Sequence, residues 1–222
     1  MKTLYIIRHG ETEWNAEQRM QGRLDSGLTP RGQEQCIANG RLLKDLGGVD
    51  ELLVSPLGRT RETAFLLNSF LSADIEFEDA LVERDCGDWS GLTIDEITTQ
   101  FPREWDARQR RPFEHRPPGG ENVPEVVERI RPLLARLAGR PAARIGIVTH
   151  GVTSRALLTD LLALQPSMAG RVRHPNDALY RLEFTAERIE ASHFIAGQGP
   201  REGLLYTAAT GPQPVPPAAG SE

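Results

Sequence analysis

The sequence predicts an α/β fold built on a mostly parallel sheet with an antiparallel edge, and three observations carry that prediction. Short β-like runs at residues 4–8, 51–55, 75–78 and 144–149 alternate with stretches of helical periodicity, the pattern of successive βαβ units whose helices cover the sheet in a three-layer α/β/α arrangement. Two of those runs, Leu4-Tyr5-Ile6-Ile7-Arg8 and Ile145-Gly146-Ile147-Val148-Thr149, lead into the same dipeptide, His9-Gly10 and His150-Gly151. Residues 180–184 and 188–194 alternate apolar and polar side chains with period two around a polar turn, which reads as a hairpin at the sheet edge.

The helices follow in order. Thr29-Pro30 supplies an N-cap and a first-turn proline for a helix running to Leu46, where Gly47-Gly48 stops it. Residues 58–71 form the next helix, with Ala64, Leu67 and Leu71 on one face, and residues 123–137 and 152–164 form two more. The segment 94–121 breaks this rhythm: a short helix over 94–100 gives way to an arginine- and proline-rich loop over 108–118, and long irregular insertions of this kind are commonly binding loops or lids. Residues 208–222 hold Pro212, Pro214, Pro216 and Pro217 among Ala and Gly, a composition that buries too little apolar surface to order itself. A chain of 222 residues fits one large α/β domain, expected over 1–207 with a disordered tail, and no internal repeat exists beyond the two strand-His-Gly units.

A net charge of −5 argues against a nucleic-acid partner, whose footprint is a basic face. All the basic residues except Lys2 and Lys44 are arginine, for most of which codon bias is explanation enough. Cys36 and Cys86 are too few and too isolated for a disulfide framework or a zinc site, so reduced thiols are expected. The first strand leaves no room for a signal peptide, and no apolar stretch approaches the roughly 18 residues of a membrane span. The expectation is a soluble cytoplasmic protein, a monomer or homodimer, with no membrane partner.

Arg8-His9-Gly10 delivers an imidazole and a guanidinium together at a strand end, where α/β sheets bind their ligands. The cation points to an anionic target, and Gly10 lets backbone approach it closely. One histidine after a strand is as often structural as chemical, and the second unit makes the pair far more specific. Between the two stand Ser55-Pro56-Leu57-Gly58-Arg59-Thr60 and Leu81-Val82-Glu83-Arg84-Asp85-Cys86-Gly87-Asp88-Trp89-Ser90-Gly91. With these segments, and with Arg8-His9-Gly10-Glu11-Thr12-Glu13-Trp14-Asn15, Leu28-Thr29-Pro30-Arg31-Gly32 and Pro118-Gly119-Gly120-Glu121 in the same order, the chain resembles the histidine phosphatase superfamily from residue 4 to about 184. That group includes cofactor-dependent phosphoglycerate mutases and many phosphomonoesterases. The resemblance implies a phosphoglycerate mutase-like fold in which the insertion over 94–121 lies above the active site.

A phosphate monoester dianion repels anionic nucleophiles, so a neutral imidazole is a suitable attacker. His9 is the expected nucleophile, its other ring nitrogen donating to a backbone carbonyl. Catalysis of phosphoryl transfer is mostly positioning plus electrostatic stabilisation. Arg8, Arg59 and a protonated His150 are expected to offset the dianion, with no metal and no cofactor. Arg59 fits the family's Ser-Pro-Leu-x-Arg pattern at a helix start, whereas Arg61 reads as solvated. Thr12, Asn15 and backbone amides near Gln21-Gly22 and Gly151 are candidates to hold phosphate oxygens, a role the resemblance implies for Asn15. The leaving alkoxide needs a proton. Residue type alone leaves Glu83, Asp85 and Asp88 open as its donor; the resemblance selects Glu83, which would afterwards activate water. Glu121 reads as support near the start of the following helix. Trp89 reads as packing under the Glu83 loop, and His115, His174 and His193 as packed or solvated, the first two being within possible reach of substrate.

These residues point to a phosphomonoesterase acting on a small phosphorylated metabolite through a phosphohistidine. A phosphoglycerate mutase is the alternative, and a non-catalytic phosphate-binding module is a third reading that the complete motif set disfavours. The chain departs from the mutases where it carries Cys86 in place of their tyrosine, lacks their lysine beyond Gly91 and has a shorter insertion before the second histidine. Asp85 to Gly91 looks like the phosphatase branch, which includes ribazole phosphatases and broad-specificity phosphatases.

Overall fold

The computed structural model describes residues 2–207, and the proline-rich stretch 208–222, for which disorder is expected, lies outside the described residues. Along the chain the elements are β1 (Lys2–Arg8), α1 (Glu13–Ala16), α2 (Pro30–Asp45), β2 (Glu51–Val54), α3 (Gly58–Asn68), β3 (Asp74–Phe77), α4 (Ile94–Gln100), α5 (Pro102–Arg110), α6 (Val123–Leu137), β4 (Arg144–Thr149), α7 (Gly151–Leu161), α8 (Pro166–Ala169), β5 (Ala178–Phe184), β6 (Ile189–Ile195) and β7 (Gln198–Glu202).

Leu4, Tyr5, Ile6 and Ile7 of β1 are all buried, and because successive side chains of a strand point to opposite faces, the strand needs cover on both. Leu4 and Ile6 enter one core with Ile145 and Ile147 of β4, closed by Val126, Ile130 and Leu133 of α6 and Leu157 of α7. Tyr5 and Ile7 enter a second core with Leu52 and Val54 of β2, closed by Leu43 of α2 and Ala64 and Leu67 of α3. The result is the three-layer α/β/α fold. A third cluster, Trp89 and Ile97 with Phe101 and Trp105 packed against them, forms a separate base for α4 and α5.

The seven strands form one sheet in the order β3-β2-β4-β1-β5-β6-β7. Pairing is parallel from β3 to β1 and antiparallel from β1 to β7. The chain leaves β1 for β2 over the slot that β4 later fills, and this placement brings distant residues together. Arg8 pairs with Thr149, and Val54 with Val148, so His9, His150 and Ser55 all follow the aligned C-terminal ends of three neighbouring strands. The ladder continues one step beyond, His9 N–H donating to the Thr149 carbonyl at 3.0 Å and Ser55 N–H to that of Val148 at 3.0 Å.

Three departures from the expected elements have physical causes. β7 is exposed throughout and pairs through its backbone, so its side chains carry no burial pattern to be read. α5 occupies the start of the expected loop; its sequence, PREWDARQR, is polar on nearly every side, and Trp105 is the side chain that anchors it to Trp89. α3 ends at Asn68, before the expected residue 71, because the Asn68 side chain both accepts from Ala73 N–H at 2.7 Å and donates to its carbonyl at 3.0 Å, turning the chain toward β3.

The turn after His9 rests directly on the first turn of α2. A Cβ on Gly10 would run into the Gly32 carbonyl oxygen, and one on Gly32 into that of Glu11. Gly32→Ala should therefore lower stability by about 1–3 kcal/mol through overpacking. Gly27→Ala, whose added Cβ would meet nothing within 4 Å, should cost far less. Urea unfolding of the two variants checks this; equal midpoints would show that the contact at the site's floor is slack.

Candidate active site

His9 is 3 % exposed, and its Nδ1 donates to the Gly10 carbonyl oxygen at 2.8 Å. A carbonyl only accepts, so Nδ1 holds the proton and Nε2 keeps its lone pair. Burial, followed by the charges of Arg8 and Arg59, holds the imidazole well below its ordinary value of 6.5 and so keeps it neutral. Arg8 donates from Nη1 to the His174 carbonyl at 2.8 Å, while its buried Nε has no partner. Burial lowers its pKa to about 10, opposed by the Glu83 carboxylate, and leaves it a cation at neutral pH.

Arg59 is 2 % exposed and spends most of its five donors on its surroundings. Nη1 donates to the Leu24 carbonyl and to Asp25 Oδ1, both at 2.6 Å, Nη2 to the Gly22 carbonyl at 2.8 Å, and Nε to His150 Nδ1 at 3.1 Å. One Nη2 hydrogen is left uncommitted. Asp25 also accepts from Gly58 N–H at 2.7 Å, so one carboxylate fixes both the start of α3 and the guanidinium.

His150 corrects the expectation of a protonated phosphate ligand. Its Nδ1 accepts from Arg59, so the proton sits on Nε2, which donates to Ser55 Oγ at 2.7 Å. Burial first, then Arg59 and Arg8, push it well below 6.5. The ring is fully buried, 5.3 Å from that of His9 between centroids, and stands behind Arg59 rather than in the cavity wall.

Glu83 faces His9 across a cavity of about 190 Å³. Its Oε1 accepts from Arg84 N–H at 2.8 Å, Thr153 N–H at 3.1 Å and Thr153 Oγ at 3.1 Å, and its Oε2 from Val152 N–H at 3.1 Å. Burial disfavours the carboxylate, but the donors from Val152, Arg84 and Thr153, together with the Arg59 charge, outweigh it and hold the pKa below the ordinary 4.5. Asp85 is turned away: it caps Gly87 N–H at 2.8 Å and pairs with Arg23 at 3.7 Å. Neither Asp85 nor Asp88 lines the cavity, which leaves Glu83 as its carboxylate among the described residues.

Of the remaining expected contacts, Asn15, Gln21 and Gly22 line the cavity, whereas Thr12 and Gly151 do not. Thr12 is fully buried because its hydroxyl is the N-cap of α1 and accepts Gln21 Nε2 at 2.8 Å; it positions the phosphate candidates instead of joining them. Gly151 lies against the Arg8 guanidinium, with room for a Cβ in ordinary contact with it. Glu121 accepts from Asp85 N–H at 2.9 Å and pairs with Arg129 and Arg23, tying the Glu83 loop to α6. Trp89 stacks on His115 of the insertion, centroids 5.3 Å apart. His174 donates from Nε2 to the Ala178 carbonyl, and burial lowers it to about 3. His193 is bound to the Gly203 carbonyl. Arg108, Pro112 and Phe113 of the insertion border the cavity.

Asp25, Thr153 and Asn176 escaped the sequence reading. Asn176 donates to the His9 carbonyl at 2.9 Å and to Asn15 Oδ1 at 3.2 Å, joining the loop before β5 to the end of β1. None of the three stands at a strand end or beside a glycine, the signals that exposed the histidines. Among the described residues no three His, Cys, Asp or Glu side chains are grouped so as to hold a metal, and no helix is long and apolar enough to cross a membrane.

Comparison with known proteins agrees with this geometry. Proteins named Probable phosphoglycerate mutase GpmB, from Salmonella paratyphi B and Salmonella newport, are 33 % identical over 198 residues, covering 88 % of this chain and 91 % of theirs. The structure of a mycobacterial glucosyl-3-phosphoglycerate phosphatase in complex with VO3 matches with a TM-score of 0.76 at 28 % identity, over 88 % of this chain and 98 % of that one. Bacillus stearothermophilus YhfR matches with a TM-score of 0.79 at 28 % identity, over 90 % and 98 %. The sequence profile of the Histidine phosphatase superfamily (branch 1) matches residues 4–196, and the chain belongs to that superfamily.

Proposed function

We propose that this chain hydrolyses phosphomonoesters of small metabolites through a phosphohistidine on His9. The observation that carries the reading is the unprotonated Nε2 of His9, locked in that tautomer by Gly10 and walled in by Arg8 and Arg59. The cavity, about 190 Å³, is below the roughly 300–1,000 Å³ of sites for drug-sized ligands and suits a small ester.

In the first half-reaction the Nε2 lone pair attacks phosphorus and the ester P–O bond breaks. Arg8, with most of its donors uncommitted, and the remaining Nη2 hydrogen of Arg59 receive the charge on the transferring oxygens. The leaving oxygen takes a proton from Glu83. In the second, water attacks the phosphohistidine, its proton passes to Glu83, and the P–N bond breaks to release inorganic phosphate. Because Glu83 is ionised in the free protein, the first proton arrives with the substrate, as an ester monoanion that hands it to the carboxylate. The similarity to a glucosyl-3-phosphoglycerate phosphatase supports hydrolysis. The relatives named as phosphoglycerate mutases favour the second reading, transfer to a hydroxyl instead of water.

Turnover of a radiolabelled ester stopped by a denaturing quench should leave alkali-stable, acid-labile label on the His9 peptide, with phosphate released at a rate EDTA does not change. Label elsewhere, or a fully active His9→Ala, overturns the mechanism; 2-phosphoglycerate formed from 3-phosphoglycerate faster than phosphate is released selects the mutase reading.

Arg59→Ala and His150→Ala should each lower kcat by on the order of 10² or more. The double variant should lose little beyond either, because the two groups act through one buried hydrogen bond. Losses that multiply in a double-mutant cycle would mean that His150 contributes independently of Arg59.

Glu83→Gln should slow alkyl phosphates far more than p-nitrophenyl phosphate, whose good leaving group scarcely needs a proton. For the unaltered protein, kcat/KM on alkyl phosphates should decline above about pH 6, where the monoanion loses its proton. The acid limb should fall below the ordinary histidine value of 6.5, since a lowered His9 pKa keeps the nucleophile unprotonated to more acid pH. A rate rising through pH 8 would contradict the proton's route.

A further inference from the structure

Asn15 lines the catalytic cavity, whereas Asn176, on the loop before β5, is absent from its wall and borders a second cavity that shares Arg8 with the first. A side-chain amide beside a phosphate can help or hinder. Its NH2 end donates to the anion, and its oxygen end presents lone pairs to it. Which end Asn15 turns to the cavity therefore matters to any oxyanion bound there, and the hydrogen bonds around it decide the matter.

The Thr12 N–H can only donate, and it meets the Asn15 side chain at 3.3 Å, so the atom facing it is Oδ1. The His9 carbonyl can only accept, so the Asn176 atom facing it at 2.9 Å is Nδ2. The second hydrogen of that Nδ2 reaches Asn15 Oδ1 at 3.2 Å. Asn15 Oδ1 thus receives two donors, one from the main chain of its own capping turn and one from a loop 161 positions along the chain, while its Nδ2 keeps both hydrogens for the cavity it lines. Turning the amide over would set its NH2 against both donors and leave them without an acceptor. Thr12 is fully buried, so its N–H has no water to fall back on. Gln21, the neighbouring amide on the cavity, is held in the same sense, Ser26 Oγ donating to its Oε1 at 3.3 Å and its Nε2 donating to Thr12 Oγ at 2.8 Å. Of the two donors that fix Asn15, the Thr12 N–H makes the longer contact and belongs to a helix of one turn. Asn176 alone ties the amide to the strand end that carries His9.

We propose that Asn176 is a positioning residue: by giving its two Nδ2 hydrogens to the His9 carbonyl and to Asn15 Oδ1, it turns the Asn15 NH2 toward the phosphoryl group and keeps that donor in register with the attacking imidazole. The inference rests on the phosphatase reading for what Asn15 holds, and adds to it the group that orients Asn15. Its physical basis is that a preorganised donor spends nothing on reorientation when the anion arrives.

The test reads oxyanion binding without turnover, by calorimetry of inorganic phosphate in a double-mutant cycle. Asn15→Ala should weaken phosphate by on the order of 10- to 100-fold, the worth of a hydrogen bond to a charged group. Asn176→Ala should weaken it by about three- to tenfold, and Asn176→Asp, whose carboxylate draws the Asn15 NH2 away from the cavity, by more. In the Asn15→Ala background Asn176→Ala should cost nothing further, because nothing is left to orient. Support of the His9 turn alone would persist in that background, so losses that multiply overturn the proposal. Nitrogen-edited NMR spectra of the unaltered chain supply a check that no misfolded variant can spoil: the Asn15 NH2 should shift when phosphate is added, and the Asn176 hydrogens should exchange slowly. An Asn15 NH2 indifferent to phosphate, or Asn176 hydrogens that exchange freely, overturns the proposal. Coupling in the cycle with no ester hydrolysed would keep the orienting role and sink the phosphatase reading; multiplying losses in a chain that hydrolyses esters would do the reverse.

Discussion

The parallel pairing of β1 with β4 is the constraint on which the site depends. Residues 9 and 150 are distant in sequence, yet the register that sets Arg8 against Thr149 makes them adjacent at one edge of the sheet. That register is held by burial on both faces: a slip of one residue would exchange Leu4 and Ile6 with Tyr5 and Ile7 between the two cores. The arrangement thus inherits its precision from packing, and Glu83, which stands on a loop, is fixed by the N–H groups of Val152 and Thr153 at the start of α7. Asn176, whose amide bridges the His9 carbonyl and Asn15, extends the same rigidity to the first residues after the strand.

Electrostatically the cavity is unbalanced. Arg8, Arg19, Arg59, Arg84, Arg108 and Arg155 border it, and the facing carboxylate among the described residues is Glu83. Asp25 shows how the fold tolerates this. By pairing with Arg59 at 2.6 Å it stabilises the most deeply buried guanidinium and orients it, while standing outside the cavity lining. Histidines in this field stay neutral, which is what a nucleophile requires and what a charged ligand such as the expected His150 would contradict.

The sheet's central strands and both histidines were legible in the sequence because strong physical signals mark them. Continuous apolar runs identify strands buried on both faces, and a glycine after each histidine allows close approach of backbone. The rest was obscured for reasons that can be named. β7 pairs through backbone groups that any residue possesses, and α5 buries little beyond one tryptophan, so neither leaves a periodic trace. Thr12 was misread because a cap and a phosphate ligand call for the same hydroxyl, and only the three-dimensional arrangement shows that Asn15 and Gln21 already occupy it. Asp25 and Asn176 act across loops remote in sequence, where spacing carries no information. The arginine-rich composition, for most of which codon bias suffices, hid Arg84, Arg108 and Arg155 among many solvated neighbours.

The distribution of these residues separates two tasks. His9, Arg59 and His150 stand on strand ends and a helix start, rooted in the two large cores, whereas Arg108 is carried by α5, which rests on the small cluster of Trp89, Ile97 and Trp105. Tight backbone crossings, in which a Cβ on Gly87 would strike the Pro118 carbonyl oxygen, join the Glu83 loop to the far end of the insertion. Changes within α5 can therefore alter what the cavity accepts without disturbing the β1–β4 register. Changes in the Gly87 crossing reach Glu83 and with it the proton. A scaffold arranged this way can keep its strand-end groups in place while the groups carried by the insertion vary, because the two sets are anchored in different parts of the core.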